Sequence, residues 1–75
     1  MSYHCHAEGK ETLAKAESSH TEGIGTIAAK LGQHVQGKFN IEDTTSKGYA
    51  HIVGNGTSTK RSNAHTIDWS GNAWF

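Results

Sequence analysis

The sequence predicts an all-β fold: a solenoid of about five stacked 14-residue coils in one domain, 1–75. Three observations carry this expectation. Histidines recur at positions 6, 20, 34, 51 and 65, in steps of 14, 14, 17 and 14 residues. Three residues after the histidine, four of the five copies carry a glycine: Gly9, Gly23, Gly37 and Gly54. Six and seven residues after it come Thr12-Leu13, Thr26-Ile27, Asn40-Ile41 and Thr57-Ser58. Self-similarity at a short fixed period is the signature of a repeat architecture.

The coils are expected near 2–15, 16–29, 30–46, 47–60 and 61–75. The first holds Cys5-His6-Ala7-Glu8-Gly9 as one short strand ending at the glycine, and Thr12-Leu13 as a second. Lys10 to Ser18 also has local helix character, with Glu11 and Lys15 four apart. Fourteen residues is two heptads, so a coiled coil is a competing reading. A glycine in each copy would cost about 1 kcal/mol in a helix interior, and the 17-residue step would shift a heptad seam. Strand stacking is therefore expected to override the local helix preference. The second coil holds Ser19-His20-Thr21-Glu22-Gly23 and Thr26-Ile27. In the third, Gln33-His34-Val35-Gln36-Gly37 and Asn40-Ile41 precede a three-residue insertion placed within Asp43 to Gly48. The fourth holds Ala50-His51-Ile52-Val53-Gly54 and Thr57-Ser58. The fifth, Ala64-His65-Thr66-Ile67-Asp68, has lost the glycine. It is followed by Trp69, Trp74 and Phe75, expected to cap the open end, where unpaired strand edges invite association. A carbohydrate or protein contact surface is the alternative for these three.

Alternation assigns faces. His6/Glu8, His20/Glu22, His34/Gln36, His51/Val53 and His65/Ile67 share one side. Cys5/Ala7, Ser19/Thr21, Gln33/Val35, Ala50/Ile52 and Ala64/Thr66 share the other, which is small or apolar and suits a narrow interior. Leu13, Ile27 and Ile41 are expected to meet them from the second strand. This core is thin, and a domain of this length is marginal alone. The single cysteine excludes an internal disulfide. Partner copies around a symmetry axis, with the histidine face on that axis, are the economical answer.

The repeats resemble the head repeats of YadA-type trimeric autotransporter adhesins. Cys5-His6-Ala7-Glu8-Gly9 and Ser19-His20-Thr21-Glu22-Gly23 fall on that family's Ser-x-Ala-x-Gly slots. The His-Ala-Glu-Gly form, the run from Tyr49 to Ser58 and the ending from Asn63 to Phe75 resemble repeats of bacteriophage and prophage tail fibres. The resemblance implies a left-handed parallel β-roll assembled as a homotrimer, located outside the cell or on a virion. The family's variable slots, usually apolar, hold His and Glu here. The family's stalk and membrane anchor have no counterpart in these residues.

The expected function is a structural or adhesive fibre segment rather than an enzyme, with a host cell-surface receptor or glycan as the outside partner. Equal numbers of basic and acidic side chains, seven each, argue against nucleic-acid binding. No apolar run is long enough for a membrane span, and Met1 to Cys5 lacks the character of a signal peptide. Glu8 and Glu22 recur once per coil, as structural positions do, and no nucleophile motif accompanies them. Lys60-Arg61 reads as a solvated turn.

The histidine column admits three readings: hydrogen-bonded rings with Glu8, Glu22 and Gln36 across protomers, a metal or anion on the trimer axis, or solvated side chains. In the metal reading the ligands are His20, His34 and His51. On a closed axis His34 is expected to be the hardest histidine to protonate, because Gln36 beside it carries no charge.

Overall fold

The computed structural model describes residues 4–46 and 48–75. Lys47, within the expected insertion, and Met1 to Tyr3, part of the stretch without signal-peptide character, lie outside the described residues. Among the described residues eight strands follow one another: β1 (His6–Ala7), β2 (Leu13–Ala14), β3 (His20–Thr21), β4 (Ile27–Ala28), β5 (His34–Lys38), β6 (Tyr49–Asn55), β7 (Asn63–Asp68) and β8 (Ala73–Trp74). There is no helix among the described residues, so Lys10 to Ser18 follows the strand periodicity rather than its local helix preference.

Six strands form one sheet in the order β1-β3-β5-β6-β7-β8, and β2 and β4 form a second. The first four strands of the large sheet are parallel, with His6 beside His20, His20 beside His34 and His34 beside His51. The glycine after each histidine makes the corner that allows this stacking. Gly9, Gly23 and Gly37 have φ of 106°, 105° and 99°, and a Cβ on any of them would collide with the carbonyl oxygen of the glycine in the next copy. Only a residue without Cβ can turn here and lie so close to its neighbour.

The expected five-coil parallel β-roll is corrected by the strand order beyond β6. The sheet is mixed: β7 pairs antiparallel to β6, and β8 antiparallel to β7. The molecule is a small globule of short strands rather than a solenoid. The link from β6 to β7 explains the reversal. Thr57 and Lys60 exchange backbone hydrogen bonds of 2.8 and 3.1 Å, closing a tight turn. A connection this short can only return the chain antiparallel, since a parallel neighbour needs a long crossover. Thr57-Ser58, expected as a fourth second strand, belongs to this turn region.

The second sheet also stops early, at two strands. Asn40 replaces the strand that Ile41 was expected to build. Its buried side chain accepts from Ile27 N (2.8 Å) and donates to Ile27 O (3.1 Å) and Ile41 O (2.9 Å). Asn63 Oδ1 takes the Ile41 amide in the same way, at 2.8 Å.

The core lies between the two sheets. Ser19, Thr21, Gln33, Val35, Ile52 and Thr66, all on the face assigned to the interior, are buried. From the second sheet it is Ala14 and Ala28 that point inward. Leu13 and Ile41 are about half exposed, at 44% and 51%, and Ile27 is half-buried. The expectation that these three form the core is therefore off by one residue along the strand. The molecule measures 30 × 29 × 15 Å, and the small residues Ser19, Thr21 and Thr26 are buried along with Ala14 and Ala28.

Three polar groups tie the frame together. Gln33 accepts from Ala29 N (3.0 Å) and donates to Asp43 Oδ2 (2.8 Å) and Tyr49 O (3.0 Å). Asp43, in the insertion, also accepts from Tyr49 N and from the backbone and hydroxyl of Thr45. Arg61, expected in a solvated turn, donates to Gly25 O (2.8 Å) and Asn40 O (3.1 Å) and lies over the Phe39 ring. It fastens the β6–β7 turn to the corner of the second copy.

Candidate functional site: the histidine–carboxylate face

The period-2 pleat places His6, Glu8, His20, Glu22, His34, Gln36, His51, Val53, His65 and Ile67 on the large sheet's face away from the core. Parallel in-register pairing stacks the first four histidines. Their ring centroids are 4.5, 4.6 and 5.1 Å apart. The antiparallel β7 puts Ile67 beside His51 and His65 beside Val53. His65 still meets His51 edge-on at 6.0 Å, and Phe75 stacks on His65 at 4.3 Å. A single column of six rings thus crosses the sheet.

Beside the rings runs a second column, Glu8, Glu22 and Gln36. His6 Nε2 donates to Glu8 Oε1 (3.0 Å), His34 Nε2 to Glu22 Oε1 (3.2 Å) and His51 Nε2 to Gln36 Oε1 (3.1 Å). His20 is the exception. Its Nε2 lies 3.4 Å from Glu22 Oε1 and 4.0 Å from Glu8 Oε1. It is shielded from solvent and makes no hydrogen bond among the described residues. Two triplets bring three donor atoms within 4.8 Å of one another: His6, Glu8, His20, and His20, Glu22, His34. The sequence reading grouped His20 and His34 with His51. The structure gathers them around Glu22, while His51 Nε2 turns to Gln36. The period held the signal for this exchange, since Glu22 sits two residues after His20 on the same face.

The His51 pKa is lowered. Burial is the leading cause, followed by the charges that His34 and His65 would carry. A neutral Gln36 offers no opposing charge.

The C-terminal aromatics divide between faces. Trp74 meets Tyr49 edge-on at 6.2 Å, and Tyr49 packs on the Ala28, Val35 and Ile52 core. The Trp74 carbonyl accepts from His65 Nδ1 at 3.1 Å. The Trp69 ring lies beside Gly32. All three of Trp69, Trp74 and Phe75 remain largely exposed, at 57%, 51% and 97%. Asp68, in the slot of the lost glycine, accepts from Ser70 N and Asn72 N at 3.0 and 2.9 Å. These bonds, the backbone amide of Asn72 first, hold its carboxyl below the usual value, and they shape the β7–β8 turn.

Elsewhere, a cleft of about 200 Å³ is lined by Ile41, Glu42, Asp43, Thr44, Thr45, Tyr49 and Asn63. Its buried carboxylate, Asp43, is already taken up by four hydrogen bonds. The Cys5 thiol donates to Ala14 O at 3.7 Å.

No protein-family model, curated protein or solved structure matches the chain.

Proposed function

We propose that the chain is a non-enzymatic structural segment that works by assembling with copies of itself, as part of an extracellular or virion fibre. The observation that carries this reading is the mismatch between core and surface. Among the described residues, four apolar side chains are fully buried: Ala14, Ala28, Val35 and Ile52. Seven large ones are exposed: Leu13, Ile24, Leu31, Ile41, Trp69, Trp74 and Phe75. Burial stabilises by about 25 cal/mol per Å² of apolar surface, so these exposed side chains leave apolar surface that a single chain does not use. A second copy is the economical occupant, because each copy offers the same surface. The resemblance to trimeric adhesin and tail-fibre repeats supplies the number three. The histidine face is the assigned contact, with Val53, Ile67 and Phe75 as its apolar end. Exposed Trp69 and Trp74 are the assigned surface for an outside partner such as a glycan. Light scattering on the purified chain tests the reading: three chain masses are expected, and a folded monomer at micromolar concentration overturns it.

A further inference from the structure

We propose that His20, Glu22 and His34 of one chain form a site for a divalent transition-metal ion of the zinc class, with His20 Nε2, Glu22 Oε1 and His34 Nε2 as ligands. The geometry is the first argument. Zinc bonds to imidazole nitrogen and carboxylate oxygen are about 2.0–2.2 Å long in tetrahedral sites, which puts neighbouring donor atoms about 3.3 Å apart. The two edges of this triangle that meet at Glu22 are 3.4 Å (to His20 Nε2) and 3.2 Å (to His34 Nε2). Both match that donor spacing, and the third edge, between the two imidazole nitrogens, is within 4.8 Å.

The state of His20 points the same way. Its Nε2 is withdrawn from water and has no hydrogen-bond partner among the described residues. A shielded polar atom without a partner costs free energy, and a cation facing Glu22 would satisfy it. Ligation requires both imidazoles neutral with the proton on Nδ1. One carboxylate and two imidazoles leave a fourth position for water or another donor.

The adjacent triplet is the weaker host. His6 and Glu8 are more exposed, with 58% and 62% of their side-chain surface accessible. Their 3.0 Å contact is an ordinary hydrogen bond, and Glu8 stands 4.0 Å from His20. His20 Nε2 can serve only one ion, so the two triplets exclude each other and the stoichiometry is one ion per chain. The site is complete within a single chain and does not depend on self-association.

Calorimetric titration of the chelator-treated chain with zinc chloride tests this, with cobalt(II) as a spectroscopic probe of geometry. One zinc per chain is expected, along with intense visible absorption from four-coordinate cobalt. Glu22→Gln and His34→Gln should each weaken zinc binding at least about ten-fold, while His6→Gln should change it by less than about three-fold. The substituted side chains lie on the outer face, and an unchanged far-ultraviolet spectrum confirms that each variant is folded. One zinc per three chains would place the ion on an assembly axis and overturn the proposal. So would equal losses from His6→Gln and His34→Gln, which mark diffuse binding to a histidine-rich surface, or no binding at all. An unchanged chain mass with and without zinc separates this result from the test of assembly.

Discussion

At the residue scale, the glycine corners and Asp43 make the sharpest statements. Gly23 and Gly71 both have positive φ, 105° and 91°. An added Cβ at Gly23 meets the Gly37 carbonyl, whereas at Gly71 it meets nothing within 4 Å. Gly71→Ala therefore carries only backbone strain, about 1 kcal/mol. Gly23→Ala adds a backbone collision and should cost clearly more. Urea melts of both variants compare them, and equal losses would mean the corners are not packed as described. Asp43 gives a pH dependence. Burial alone would raise its pKa, but hydrogen bonds from Thr45, Tyr49 and Gln33 outweigh it and hold the value below 3.8. A carboxylate with a lowered folded pKa contributes stability that is present above the unfolded value and lost as pH falls through the folded one. The loss therefore belongs to the window below about pH 4. Asp43→Asn should be less stable than the parent at pH 7, and the gap should narrow by pH 3. A gap independent of pH would contradict the assigned hydrogen bonds.

At the scale of elements, the strands and corners of the first three copies were legible because period and glycine agree there, whereas Ala7, assigned to the interior with Cys5, is exposed on the edge strand and Cys5 is only half-buried. Ser19, Thr21, Gln33, Val35 and Ile52 could be placed inside from pattern alone. The rest was not legible for identifiable reasons. A repeat reports which residues recur, not the direction in which the last copy runs. The loss of glycine at Asp68 marks the fifth copy as different without revealing that the Thr57–Lys60 turn reverses the chain. Leu13, Ile27 and Ile41 misled because large apolar residues are ordinarily core, whereas the alternation of the second sheet turns Ala14 and Ala28 inward. In the candidate site, the histidine column and its flanking Glu8 and Glu22 were readable, but the special environment of His20 was not, since it depends on ring tilt. Asn40 is the element-scale test. It satisfies the backbone of Ile27 in place of a strand, so Asn40→Ala should destabilise by about 2–3 kcal/mol by leaving buried groups without partners. Amide exchange at Ile27 should quicken with it. Unchanged exchange would mean that water or another strand serves that amide.

At the scale of the whole molecule, a thin core, a ring column and exposed apolar residues support the proposal that the chain shares its stability with its copies. The histidine face changes along its length. Glu8 and Glu22 flank the early rings, whereas Val53 and Ile67 flank the later ones. The apolar end should dominate assembly, so Val53→Asp or Ile67→Asp should dissociate the assembly more than Glu8→Ala does. An interface carboxylate without a partner is costly to bury. Equal effects, read by sedimentation, would show that another face makes the contact. Self-assembly is the central claim, and solution mass reads it most directly. Light scattering at micromolar concentration should give three chain masses for the parent and a lower mass for Ile67→Asp. A parent that is folded by far-ultraviolet spectroscopy yet weighs one chain would contradict it.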